Sequence, residues 1–153
     1  MTVLERIRAK LGPNAAGIDL LRALRDEAHL IGMARTLAIA VETAEAERVT
    51  LRSQPGPHLE NTNGVAQGGY AASLLDMACG YAIIARLAPG KTCATLELKV
   101  AYHKPVRLDA GPVRAEGQVT SLGRRAAFSE ARLTDAEGRL LASASATFLT
   151  TDL

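Results

Sequence analysis

The stretch Asn61-Thr62-Asn63-Gly64-Val65-Ala66-Gln67-Gly68-Gly69-Tyr70-Ala71-Ala72-Ser73-Leu74-Leu75-Asp76-Met77-Ala78-Cys79-Gly80 decides how this chain folds. It opens on turn formers (Asn61, Asn63, Gly64), passes the diglycine Gly68-Gly69, and runs on to Ala88 almost wholly in apolar or small residues. Ala, Leu, Met and Ile favour a helix, and 70–88 is long enough for about five turns. The run is apolar nearly all round, which predicts a buried, central helix. One carboxylate, Asp76, interrupts it, with no further formal charge until Arg86. An acid in a buried helix costs free energy unless it is paired or used. Asp76 is therefore a candidate for chemistry, the alternative being a structural acid bonded to neighbouring hydroxyls or an arginine.

Downstream, Ala88-Pro89-Gly90 makes a turn and four strands are expected, at Lys91–Tyr102, Gly111–Ser121, Ala126–Thr134 and Leu140–Thr150. Their separators are the Pro105–Gly111 loop, Leu122-Gly123-Arg124, and a hairpin turn at Asp135–Gly138. In the first of these strands Leu96, Leu98 and Val100 alternate with Glu97 and Lys99. Upstream, Leu37, Ile39 and Val41 alternate with Thr36, Ala38, Ala40 and Glu42, and a turn near Ala44–Ala46 leads into a second strand at Arg48–Ser53. The first 31 residues read as two helices forming an outer appendage or lid. One spans 2–11, with Val3, Leu4, Ile7 and Leu11 on a face. The other runs from Asp19 as N-cap to Leu30, with Leu20, Leu21, Leu24 and Ala28 on a face. The order predicts an α+β domain over 32–153, its antiparallel strands curled around one long central helix, behind an N-terminal helical extension over 1–31. Strand 91–102 is too long for an unprotected edge, which makes edge-to-edge dimerisation plausible.

The chain has 153 residues, enough for one self-sufficient core. A net charge of +2 with acids and bases interspersed leaves no basic stripe, and 3% aromatics leave few stacking platforms, so nucleic acid is not an expected partner. Asp76 and the many Ala and Gly residues argue against membrane insertion of the 70–88 run. Met1–Lys10 is charged and amphipathic, unlike a signal peptide. Cys79 and Cys93 are expected to be reduced core thiols of a cytoplasmic protein.

The pattern Asn61-x-x-Gly64-x-x-Gln67-Gly68-Gly69, then Leu74-Leu75-Asp76-x-Ala78-x-Gly80, resembles the hotdog-fold thioesterases. Specifically, it is similar to the branch of phenylacetate-pathway and 4-hydroxybenzoyl-CoA thioesterases. Thr95 ahead of Leu96-x-Leu98-x-Val100-x-Tyr102-x-x-Pro105 and the pair Gly123-Arg124 extend the likeness, which covers roughly residues 32–150. One departure stands out: Gln67 occupies the place where family members commonly carry His. Gln can donate and accept hydrogen bonds but cannot take up a proton.

The resemblance implies an acyl-CoA thioesterase without metal or redox cofactor, coenzyme A entering only as part of the substrate. It implies active sites at a dimer interface and a homotetramer built as a dimer of dimers. Asp76 would be nucleophile or general base, and the Gly68 N–H, at a helix N-terminus, the donor to the developing oxyanion; the plain alternative for Gly68 is a tight turn or a packing contact. Spacing adds an argument of its own. Gly68 and Asp76 are eight residues apart, about 12 Å along one helix at 1.5 Å per residue. One thioester carbon cannot be close to both, so two chains are expected to share each site. Asn61 would hold the thioester or a water, with an Asx-turn as alternative. Thr95 would orient Asp76 or its water, unless it is an ordinary strand residue, and Gln67 would orient the loop or the carbonyl, unless it only ties the loop. Arg124 and Arg125, then Lys104 and Arg107, are the candidates for the coenzyme A phosphates, against plain solvated charge. His58 and His103 lack motif context. A non-catalytic acyl-CoA-binding module is the alternative function, and a hydratase the more distant one.

Overall fold

The computed structural model describes residues 3–26 and 31–153. Thr2, the side chain of Leu4 and the continuation of the second helix through Ala28 to Leu30 lie outside the described residues. Three helices come first: α1 (Val3–Leu11), α2 (Gly17–Asp26) and the single turn α3 (Met33–Thr36). Strands β1 (Ile39–Ala44) and β2 (Val49–Ser53) form a hairpin, followed by a 3-10 turn at Pro57–Leu59. Then come α4 (Gly68–Arg86) and four strands, β3 (Lys91–Tyr102), β4 (Val113–Leu122), β5 (Ala126–Thr134) and β6 (Leu140–Asp152). All six strands make one antiparallel sheet in the order β1-β2-β4-β5-β6-β3, curled around α4 in the hotdog arrangement.

The helix lies close to the sheet because both surfaces are built of small residues. Ala71, Ala78, Ala82 and Ala85 of α4 are buried, as are Ala115, Ala131, Ala142, Ala144 and Ala146 of the strands. At the closest approach Gly117 of β4 faces the α4 backbone, and a Cβ there would stand 2.2 Å from the Ala78 carbonyl oxygen. The next carbonyl, Cys79 O, accepts a hydrogen bond from the Ser129 hydroxyl at 3.2 Å. Phe148 fills the remaining volume beside Gly80, whose added Cβ would meet its ring at 3.3 Å. The apolar length of α4 would also suit a bilayer, but 56% of its most hydrophobic window is buried inside this protein.

The N-terminal helices close the core from outside. Ile7 and Leu21 are each 1% exposed and belong to the same apolar cluster as α4. Gly17 sets how closely α2 sits on α4, since a Cβ there would fall 2.1 Å from Ile84 O. Asp19 is not the N-cap: α2 begins at Gly17, and the Asp19 carboxylate reaches back to accept the Ala16 N–H at 3.0 Å. That is the reciprocal half of a capping box, with the acid at the third helical position.

Two further expectations change. The alternation through Leu37 does not begin a strand: Met33–Thr36 forms a helical turn, and Ala38 takes a left-handed φ of 51° before β1 starts at Ile39. A left-handed alanine costs on the order of 1 kcal/mol, and Gly32, at φ 50°, opens the same turn without that penalty. In β3, Leu96 does not point inward with Leu98. The β3–β6 register pairs Thr95 with Phe148 and Glu97 with Thr147, leaving Leu96 as a bulge residue, 62% exposed. Bulges re-aim the side chains beside them. This one places Thr95 on the same face as Leu98, Val100 and Tyr102, toward α4. Alternation of residue types cannot reveal an inserted residue whose own side chain is apolar.

Gly117→Ala should lower unfolding stability by about 3 kcal/mol or more, the upper range for overpacking, because its contact is backbone that cannot turn aside. The midpoint of denaturant unfolding measures it, and a shift below about 0.5 kcal/mol would contradict the close approach.

Candidate active site

The loop that delivers α4 is fixed by its own backbone. Ala66 N–H donates to Val106 O at 2.9 Å, Gln67 N–H to Leu59 O at 2.8 Å, and Asn61 N–H to Val65 O at 2.8 Å. The Asn61 Oδ1 accepts from the N–H of Asn63 at 2.8 Å and of Val65 at 3.4 Å, the Asx-turn geometry. Gln67 caps α4 with an extended backbone and no side-chain capping bond, so its exposed amide is not spent on the helix. The amides of Gly68 and Gly69 follow in the first turn, where no intrahelical acceptor exists.

Tyr102, at the end of β3, lies against this turn. Its hydroxyl donates to Gly68 O at 2.9 Å, and its ring would be 3.3–3.4 Å from a Cβ at Gly68. The tyrosine thus leaves space for a glycine at that position and little more. The sequence placed Tyr102 in a motif but gave no sign of this contact, which depends on where the strand ends. Asn61, Gln67, Gly68, Tyr102 and Lys104 line one recess of about 340 Å³. His103 shares its rim, its Nε2 within hydrogen-bond distance of Ser143 Oγ at 2.9 Å.

Asp76 lies two turns further along α4 and is half-buried rather than enclosed. The bulge-directed Thr95 hydroxyl donates to its Oδ1 at 2.9 Å. One hydroxyl thus satisfies one of the two carboxylate oxygens. Neither residue borders the recess at Gly68. Within one chain the Asp76–Thr95 pair and the Gly68 turn are therefore separate, held from different points along β3.

The cations divide in the same way. Lys104 stands at the Gly68 recess. Arg107 is held by Asp109 through Nε at 3.0 Å and Nη2 at 2.9 Å. Arg124 and Arg125 form the β4–β5 turn, exposed, with their carbonyls accepting from Thr150 Oγ1 at 2.8 Å and Thr150 N–H at 2.9 Å. The ladders run Ala126 to Leu149 to Ala94 across β5, β6 and β3. The arginine turn thus belongs to the Thr95 end of the sheet, not to the Lys104 end.

The comparisons with known proteins bear on the family and the fold. The family model of the thioesterase superfamily matches residues 63–142, just over half of the chain and inclusive of Gly68, Asp76 and Thr95. An esterase-named protein of Pseudomonas aeruginosa is 35% identical over 88 residues, 58% of this chain and 64% of its own length. The chain thus spans less than two thirds of that curated relative. Among solved structures, a phenylacetic acid degradation-related protein of Ralstonia eutropha superposes with TM-score 0.74 at 28% identity, covering 84% of this chain and 96% of that one. A Haemophilus influenzae thioesterase superposes with TM-score 0.78 at 21% identity, covering 87% and 91%, a likeness of fold.

Burial, with a smaller contribution from the Asp76 charge, pushes the thiols of Cys79 and Cys93 up to about 11. The thiolate is the reactive form. Labelling of the native protein by a disulfide reagent should therefore be slow at pH 7.5, gain roughly tenfold per pH unit up to about pH 10, and become fast on unfolding. Rapid native labelling at neutral pH would contradict the burial of Cys79 and the half-burial of Cys93.

Proposed function

This chain belongs to the thioesterase superfamily, and from that premise we propose that it hydrolyses an acyl- or aryl-CoA thioester to the free acid and coenzyme A. The observation that carries the reading is the division of labour along the edge strand. Thr95, in the first half of β3, holds Asp76, and Tyr102, at the end of the strand, holds the Gly68 turn. Among the described residues β3 pairs on one side only, with β6, and offers a free edge twelve residues long. Two copies joined edge to edge, antiparallel and centred near Leu98 and Lys99, would set the Asp76 of one against the Gly68 turn of the other. Each dimer would then hold two complete sites, and two dimers would associate as a homotetramer.

In such a site the Asp76 carboxylate takes a proton from water as the water oxygen bonds to the thioester carbon. Negative charge moves to the carbonyl oxygen, which the Gly68 N–H meets with the partial positive charge of the helix N-terminus. The C–S bond breaks as the carbonyl re-forms, and the departing thiolate recovers the proton from Asp76. Direct attack by the carboxylate, through a mixed anhydride that water then cleaves, uses the same two groups. Thr95 holds the carboxylate in aim, and Gln67 hydrogen-bonds the substrate without exchanging protons. Lys104, with Arg124 and Arg125 brought by the partner chain, meets the phosphates, while Arg107 serves less well for as long as Asp109 occupies it. The reaction consumes only water, and the free thiols suit a cytoplasmic setting.

Thiol release from phenylacetyl-, benzoyl-, hexanoyl- and palmitoyl-CoA tests the chemistry. Asp76→Ala should lower turnover at least ~100-fold, about 2.7 kcal/mol of transition-state stabilisation. Tight binding of an acyl-CoA with no turnover by the wild type would instead identify a binding module, the reading that Gln67 favours.

Complementation tests the shared site. Gly68→Pro removes the N–H at a first-turn position whose backbone suits proline, with Tyr102 yielding a few tenths of an ångström to its ring, and it should be as inactive as Asp76→Ala. Co-expressed in equal amounts, the two variants should regain about a quarter of wild-type activity. Half of random dimers are then mixed, and each mixed dimer has one intact site of two. A mixture as inactive as its parents would place both groups of each site within one chain.

A further inference from the structure

We propose that a second recess, between α3 and the first two turns of α4, receives the acyl arm of the substrate, and that Met33 at its lip sets the length of arm accepted. The inference rests on the thioester-hydrolase reading above. The recess has a volume of about 770 Å³, within the range of small-molecule sites. Met33, Leu37, Leu59 and Tyr70 give it apolar walls. Its floor keeps its polar groups to itself: Tyr70, 3% exposed, donates its hydroxyl to Ser53 Oγ at 2.7 Å, and Ser53 Oγ donates to Leu37 O at 2.7 Å. The Ser73 hydroxyl is likewise turned back, onto Gly69 O at 2.8 Å. Among its described lining residues the one carboxylate is Glu60, and the only group able to become cationic is His58. Such a surface suits an uncharged alkyl or aryl group and opposes one that ends in a carboxylate.

The two recesses share a wall. Asn61 and Gln67 line both, while Gly68 faces the Lys104 recess and Gly69 faces this one. A thioester lying across the diglycine would point one arm toward the cation and the other into the apolar space, with the scissile bond at the division. That polarity assigns coenzyme A to the Lys104 side and the acyl group to the α3 side.

The wall formed by α3 is specific and held at a cost. Its turn is bracketed by two left-handed residues, Gly32 and Ala38, and the second carries a side chain. Strain of this kind gathers where a segment must be held in one place for use. Met33 on that turn is 62% exposed, so the fold does not need it for packing. Unbranched and polarisable, methionine makes an adaptable lip for an apolar recess.

The test measures kcat/KM for straight-chain acyl-CoA substrates from acetyl to palmitoyl, with phenylacetyl- and glutaryl-CoA, for wild type, Met33→Ala and Met33→Trp. Binding of octanoyl-CoA is measured by calorimetry on Asp76→Ala, with and without Met33→Trp. The tryptophan should depress octanoyl and longer chains at least about tenfold relative to acetyl, the discrimination expected from contacts of one or a few methylenes. The alanine should move the optimum to longer chains, and glutaryl-CoA should be poorer than hexanoyl-CoA in all three proteins. Length profiles that remain parallel across the variants would overturn the assignment of the recess while leaving the hydrolase reading intact. If the wild type turns over nothing but Met33→Trp still weakens octanoyl-CoA binding tenfold, the hydrolase reading falls and the recess assignment stands.

Discussion

The fold depends on how near the backbone of α4 comes to the sheet. Gly117 opposite Ala78 admits a separation that any side chain would prevent, and the alanines on both surfaces extend the close fit along the helix. Dispersion falls steeply with a small gap, so methyl against backbone at short range compensates for the lack of large side chains. The aromatic content of 3% is the sequence-level trace of this choice. Such a core spends little side-chain entropy, since alanine and glycine have no rotamers to lose.

Holding the helix so closely also fixes its two functional points. The N-terminal turn is tied by the 59–67 loop, by Val106 and by Tyr102, while Asp76 is tied by Thr95. Both side-chain contacts come from β3, the longer of the two edge strands among the described residues. The element that aims the chemistry is therefore also the element able to recruit a second chain, which links assembly to site completion without any added domain.

Much of this was legible in the sequence because it is local. Lys91–Tyr102 and Ala126–Thr134 are strands with the boundaries that turn residues and alternation predict, and the central helix begins at the diglycine rather than two residues later. What escaped depends on partners far along the chain. Asp76 looks enclosed in a sequence of apolar neighbours, yet it emerges beside β3 because the sheet covers only part of α4. Leu37 alternates with Ile39 and Val41 as a strand residue would, but Gly32 and Ala38 turn the chain before it. The contact of Tyr102 with Gly68 is set by strand register, which no periodicity records. The sharing of one wall by two recesses follows from the path of a loop and leaves no signature in residue type.

The bulge at Leu96 has a consequence for how such a site is written into a chain. Side chains on a strand alternate between two faces, so one inserted residue reverses every orientation on one side of it unless a bulge absorbs it. Loss of Leu96 would keep Thr95 opposite Phe148, but strict alternation through all twelve residues, with no bulge, would leave Leu98, Val100 and Tyr102 against the helix while swapping the faces of Lys91 through Thr95. No core contact downstream would change, and no charge would be gained or lost, yet the hydroxyl would turn away from its acid. The pairing of Thr95 with Asp76 thus rests on the bulge that takes up Leu96 as well as on the chemical identity of the two residues. A residue added between Thr95 and Leu98 and taken up without a second bulge would break the pair, so two chains with nearly the same composition could differ in possessing it.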